Sequence, residues 1–156
     1  ALYQATCATN SEPYVLQNIG DMMSPEFSEN CIIIVDPSML IHPEAYVIVD
    51  FEDELYFRQY IEEGHKKILR CLNSEYKDIE LGDIFEVRGC IVQQKQRKQK
   101  SLHYYLPNKI TGELEFNIKG KAKSLIMQGN LVENNYNSIV AAIKQLTFLR
   151  IEAPKV

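Results

Sequence analysis

Few side chains in this sequence can do covalent or metal chemistry, and their spacing narrows the choice further. The histidines, His42, His65 and His103, are scattered without ligand-like spacing, so each is expected on the surface or in a loop. The cysteines, Cys7, Cys31, Cys71 and Cys90, form no CxxC pair. Cys31, Cys71 and Cys90 sit in apolar, strand-like runs, which reads as buried, reduced thiols of a cytosolic protein rather than disulfides or metal ligands. No metal or other cofactor is expected. Met22 and Met23 have no His or Cys neighbour, and such a thioether pair packs more often than it ligates. Ser24 is followed by Pro25 and reads as a turn or cap serine; a serine nucleophile needs a base beside it, and no lysine accompanies this one. Tyr56, Arg58 and Tyr60 alternate along a strand and so share one face, which either binds a peptide or an anion between the rings or is simply solvated. The run Lys95, Arg97, Lys98 and Lys100, with Lys119, Lys121 and Lys123 beyond it, offers phosphate contacts. Only His103, Tyr104 and Tyr105 supply nearby rings, so a solvated linker competes with nucleic-acid binding there.

The elements that must position these residues are mostly strands. The chain has 156 residues, 46% of them hydrophobic and 24% charged, enough for one ordinary domain with a small appendage. No apolar run approaches the length that spans a bilayer, and residues 1–10 lack the basic start and apolar core of a secretory signal. Cys31 to Val35 is a β-branched run closed by Asp36-Pro37, a buried strand. A short strand is expected at Tyr14 to Leu16. Ala45 to Phe51 and Leu55 to Ile61 flank the acidic turn Glu52-Asp53-Glu54 as a hairpin. Further strands are expected at Lys67 to Leu72, Asp78 to Leu81 and Ile84 to Val92, with turns at Glu62 to His65, Asn73 to Tyr76 and Gly82-Asp83.

Gln93 to Lys100 is polar and basic and is the expected domain boundary. Residues 1–94 hold 6 basic and 17 acidic side chains, a net of −11, and residues 95–156 hold 11 and 4, a net of +7. Beyond the boundary, a hairpin is expected from Leu102 to Leu106 and Glu113 to Lys119, with Leu114, Phe116 and Ile118 on its buried side. A short strand at Ser124 to Met127 follows, then a helix from Asn137-Ser138 through Leu149.

The segment Gly20-Asp21-Met22-Met23-Ser24-Pro25-Glu26-Phe27, with its polar break and apolar strand, resembles the nucleophile segment of the LexA and UmuD family of self-cleaving Ser–Lys peptidases. The family pattern there is Gly-Asp-Ser-Met-x-Pro-x-Phe, so Met22 stands at the position of the nucleophilic serine. The hairpin resembles the one that carries the family's catalytic lysine, and Arg58 falls at that position. Asn73-Ser74-Glu75-Tyr76 matches an Asn-x-x-Phe/Tyr turn, and Ile84 to Val92 resembles the closing strand. The likeness runs from about Ile19 to Gln94 in the right order. No Ala-Gly or Cys-Gly dipeptide of the kind cleaved in such proteins lies upstream.

The resemblance implies a mostly β fold for residues 1–94, with residues 95–156 as a small basic α+β extension, and a homodimer, because relatives pair through this domain. Methionine has no ionisable proton and arginine stays protonated, so a Ser–Lys dyad is not available at Met22 and Arg58. The expectation is an inactive peptidase-type domain serving dimerisation or regulation of a repressor or stress-response (SOS) protein in the cytoplasm, with a protein partner as a further expectation. The alternatives are self-cleavage through an atypical dyad using Ser24, and nucleic-acid binding through the extension.

Overall fold

The computed structural model describes residues 12–125. Cys7, the helix expected through Leu149 and the end of the strand expected to reach Met127 lie outside that range. The described residues form eleven strands: β1 Tyr14–Gln17, β2 Ile32–Asp36, β3 Tyr46–Phe51, β4 Glu54–Glu63, β5 Lys66–Arg70, β6 Ile79–Leu81, β7 Glu86–Lys95, β8 Leu102–His103, β9 Tyr105–Pro107, β10 Leu114–Ile118 and β11 Lys121–Ser124. The fold is therefore mostly β, as expected. One sheet runs in the order β1-β2-β7-β3-β4-β5-β6, with β8 also paired to β7; β11-β10-β9 form a second. Every strand pair is antiparallel.

β7 is the strand on which the large sheet turns. Its first half pairs with β3 and its second half with β8, while β2 lies along its other edge. Two register shifts let it do so. Val87 and Gly89 face consecutive residues of β3, which leaves Arg88 as the extra residue. Ile91 and Gln93 likewise face consecutive residues of β2, which leaves Val92 extra. Such bulges bend a strand and re-aim its side chains. Gly89 sits between them at φ 154°, and a Cβ there would lie 2.6 Å from Val35 Cγ1 and 2.8 Å from the Asp36 carbonyl oxygen. Only glycine lets β2 and β7 approach this closely.

The boundary expected after Gln94 falls inside β7. Gln93 and Gln94 are buried, and Tyr104, Tyr105, Leu114, Phe116, Ile118 and Leu125 belong to the same core as the large sheet. The bulge at Val92 breaks the alternation of the strand, so the glutamines resemble the start of a polar linker in sequence while their amides face inward. Gln94 Nε2 donates to Glu26 O at 2.8 Å and to the Tyr104 hydroxyl oxygen at 2.7 Å. The second sheet contains the expected hairpin with a shorter first arm: Leu102–His103 pairs with β7 instead, and Tyr105–Pro107 pairs with β10, with Leu114 facing Pro107 and Phe116 facing Tyr105; Leu114, Phe116 and Ile118 are its buried side. The following strand lies three residues earlier than expected, because Lys121 to Lys123 pair with β10 as its outward edge.

The core between the sheets is aromatic. Phe27 is fully buried and meets Tyr46 and Phe57 edge-on at 4.9 Å between ring centroids, with Tyr104 at 5.5 Å. Such edge-to-face pairs add to the stabilisation that burial alone brings. Phe116 extends the cluster to Tyr105 and His42. His42 is 1% exposed, which corrects its expected surface position. Its Nδ1–H donates to the Pro43 carbonyl at 2.9 Å, which leaves Nε2 to accept the Tyr105 hydroxyl proton at 2.6 Å. Burial holds its pKa below the usual imidazole range, so the ring is a neutral, fully bonded part of the core. His65 and His103 are exposed, as expected.

Candidate functional site

Met22 and Arg58 come from separate elements and meet. Met22 lies in the loop between β1 and β2, and Arg58 is in the middle of β4. Arg58 Nη2 donates to Met22 Sδ at 3.3 Å across 36 residues of sequence. The two positions singled out in the sequence are thus one site.

The loop that carries Met22 is fixed from several sides. Met23 and Phe27 sink into the core at 1% and 0% exposure. The Asn18 side-chain amide, itself buried, donates to Ser28 O at 2.9 Å, closing the base of the loop. The turn Asn73 to Tyr76 clasps its tip: Asn73 N–H donates to Met22 O at 3.1 Å, Asn73 Nδ2 to Asp21 O at 3.2 Å, and the Tyr76 hydroxyl to Asp21 Oδ1 at 2.6 Å. At the far end Gln94 and Tyr104 hold Glu26, whose carboxylate accepts the Tyr104 hydroxyl proton. Ser24 is joined to Pro25 by a cis peptide bond, and its hydroxyl donates to Phe27 O at 3.4 Å. That is the turn role expected of it.

Arg58 is held along its length. Nη1 donates to Phe57 O at 2.7 Å, and Cζ lies 5.3 Å from the centroid of the Tyr56 ring, in cation–π range. Burial raises the Cys71 thiol pKa, and the nearby Arg58 guanidinium partly offsets that. Tyr60 is more deeply buried than Tyr56 and Arg58. It is 2% exposed, its ring belongs to the core and its hydroxyl donates to Glu62 at 2.7 Å. Both faces of β4 are covered at mid-length, so strand alternation does not separate a buried side from a free one there. Of the three, Tyr56 and Arg58 line a cavity of about 210 Å³, together with Asn18, Ile19, Met22, Met23, Glu54, Leu55 and Phe57.

The remaining candidates lie elsewhere. Cys31, Cys71 and Cys90 are free and buried, and burial pushes the Cys31 thiol up to about 11. Lys95, Arg97, Lys98 and Lys100 are exposed at the turn between β7 and β8. Tyr104 and Tyr105, named as rings beside that run, are buried. Among the described residues no three His, Cys, Asp or Glu side chains gather as a metal site, and no helix is long and apolar enough to cross a membrane. A larger concavity of about 1050 Å³ is lined by Asp50 to Asp53 and Glu80 to Glu86 and shares no residue with the Met22–Arg58 cavity.

Sequence reading missed Asn18, Glu26, Gln94 and Cys71. A polar side chain next to an apolar strand was the available signal for Asn18. Glu26, Gln94 and Cys71 gave none, because their roles depend on contacts made across the fold.

A family model described as Peptidase S24-like matches residues 1–92. No curated protein matches the chain. The matched residues cover more than half of the sequence and include Met22, Arg58 and the Asn73–Tyr76 clasp, and they carry the expected mostly β fold: the chain belongs to the Peptidase S24-like family.

Proposed function

We propose that this chain is a peptidase-type domain without self-cleavage activity that acts as a dimerisation or regulatory module, in transcriptional or stress-response control in the cytoplasm. The observation that carries the reading is the 3.3 Å contact between Met22 Sδ and Arg58 Nη2. A nucleophile must lose a proton to a base at such a contact. A thioether has no proton to lose, and a guanidinium remains charged at any pH the fold meets. Ser24 does not take over: its hydroxyl is directed to Phe27 O, and no lysine bonds to it among the described residues. The surrounding scaffold is nonetheless complete, with the loop clasped at Asp21, Met22 and Glu26. That combination favours a role that uses the shape of the domain and not its chemistry.

The test is to incubate the full chain from neutral to strongly alkaline pH, follow its intact mass, and measure its molar mass in solution by light scattering. The expected result is an uncleaved dimer. Cleavage abolished by Ser24→Ala overturns the inactivity, and a monomer at high concentration overturns the pairing. Exposure of Lys95, Arg97, Lys98 and Lys100 at one turn supports a second reading, contact with nucleic-acid phosphates. Binding to a DNA duplex that weakens with salt and is lost when all four become glutamine supports it; no binding at low salt removes it.

A further inference from the structure

Arg58 differs from the other well-packed arginines in what faces it. Arg70 pairs with Asp78 at 2.8 Å and Glu63 at 3.4 Å, and Arg88 with Asp50 at 2.6 Å and Glu86 at 3.3 Å. Arg58 has no carboxylate within ion-pair distance among the described residues. Its partners among the described residues are a carbonyl oxygen, a thioether and the face of a ring, all neutral. Its Nε is buried and has no hydrogen-bond partner among the described residues. A cation held half-buried against neutral acceptors keeps most of its unsatisfied charge, and a charge-assisted bond to an anion is the strongest bond still open to it.

The cavity beside it sets the class of anion. Ile19, Met22, Met23 and Leu55 give it apolar walls, which suits a short apolar segment more than a free ion. Glu54 stands at its rim and accepts the Tyr56 hydroxyl proton at 2.9 Å. This carboxylate repels a second negative charge and so selects a monoanion over a dianionic phosphate. We propose that the Met22–Arg58 cavity is a receptor for the free C-terminal carboxylate of a peptide ending in small apolar residues, with Arg58 bonding the carboxylate and Tyr56 covering the guanidinium. Capture of a terminal carboxylate by a fixed cation is a known way of recognising peptide ends. The inference rests on the reading above and deepens it: a serine and a neutral lysine at these positions would act on a peptide bond, whereas a methionine and an arginine offer a dry wall and a permanent charge.

The test is titration of the full chain with N-acetyl-Ala-Ala as the free acid, with its C-terminal amide, and with inorganic phosphate. Binding is read by calorimetry and by the NMR signal of the arginine Nε–H groups. The acid is expected to shift the Arg58 signal and to bind at least tenfold more tightly than the amide or phosphate. Arg58→Met should abolish the preference for the acid, and Arg58→Lys should retain it in weakened form, since an ammonium is a point charge without the planar fork. Leu55→Trp, at a half-exposed position, should block the cavity with Arg58 intact. Equal binding of acid and amide, tighter binding of phosphate, or acid binding untouched by Leu55→Trp overturns the proposal. Cleavage of the chain by itself would refute inactivity and leave this result standing; an inert chain that ignores the acid refutes the receptor alone.

Discussion

A chain cut after Gln94 should lose much of its stability, because residues beyond it, from Tyr104 to Leu125, are buried in the same core as the large sheet. Phe27 and Tyr46 are 0% and 1% exposed, and each has Tyr104 on one side. Uncovering about half of each ring costs roughly 1–1.5 kcal/mol apiece. One buried polar group is also left unpaired: His42 Nε2 loses the Tyr105 hydroxyl, whereas the Gln94 amide keeps Glu26 O. Leaving that nitrogen unpaired costs about 1–3 kcal/mol where water does not reach it. The total is about 3–6 kcal/mol, against a net stability of about 5–15 kcal/mol for a domain of this kind. Urea unfolding of the truncated and full chains, followed by circular dichroism, measures the difference. The truncated chain should show no cooperative transition, or one whose stability is lower by at least about 3 kcal/mol. A truncated chain within about 1 kcal/mol of the full one would refute the shared core and restore a boundary at Gln94.

Gly89→Ala should cost about 3 kcal/mol or more, since its Cβ would lie 2.6 Å from Val35 Cγ1 and 2.8 Å from Asp36 O at φ 154°, adding overpacking to backbone strain. Gly64→Ala, at φ 61° with nothing within 4 Å of the added carbon, should cost only about 1 kcal/mol; chemical denaturation of both variants checks the contrast. His42 gives a pH dependence of definite sign. Its folded pKa lies below 6.5 because burial disfavours the charged ring, so the unfolded chain takes up the proton first. Its contribution is whole above pH 6.5 and is lost as the pH falls through the folded value, with a slope of up to about 1.4 kcal/mol per pH unit. Unfolding curves between pH 7.5 and 5 should show that slope in the native chain and a shallower one in His42→Gln; equal slopes would refute it.

The fold was legible where one face of a strand meets water and obscure where both faces are covered. β10 alternates buried and half-buried residues, and its pattern marks the strand and its inner side directly. β2 and β3 are apolar runs between turn formers, which identifies them as strands without saying what covers them. β7 defeats the same reading, because its two bulges place Cys90 through Gln94 all in the interior. A polar side chain that ends a bulged strand reads as a linker until its partner is known. For Gln94 that partner is Glu26, 68 residues away.

The site shows the same division. Met22 and Arg58 could be paired in advance only through the family pattern, since no periodicity links a loop to the middle of a strand three strands along. Their contact at 3.3 Å then has a chemical consequence that neither residue has alone. On the reading proposed above, either residue by itself would leave half of a dyad: a serine beside arginine lacks a base, and a lysine beside methionine lacks a nucleophile. Together they leave a surface of a different kind, apolar on one wall and cationic on the other, on a loop still tied down by Asn18, Asn73, Tyr76 and Gln94. The hydrogen bonds that fix this loop and its methionine have a physical purpose if position matters to something that docks there. Loosening the clasp with Tyr76→Phe, which removes the bond to Asp21, therefore bears on binding at the cavity before it bears on the stability of the core.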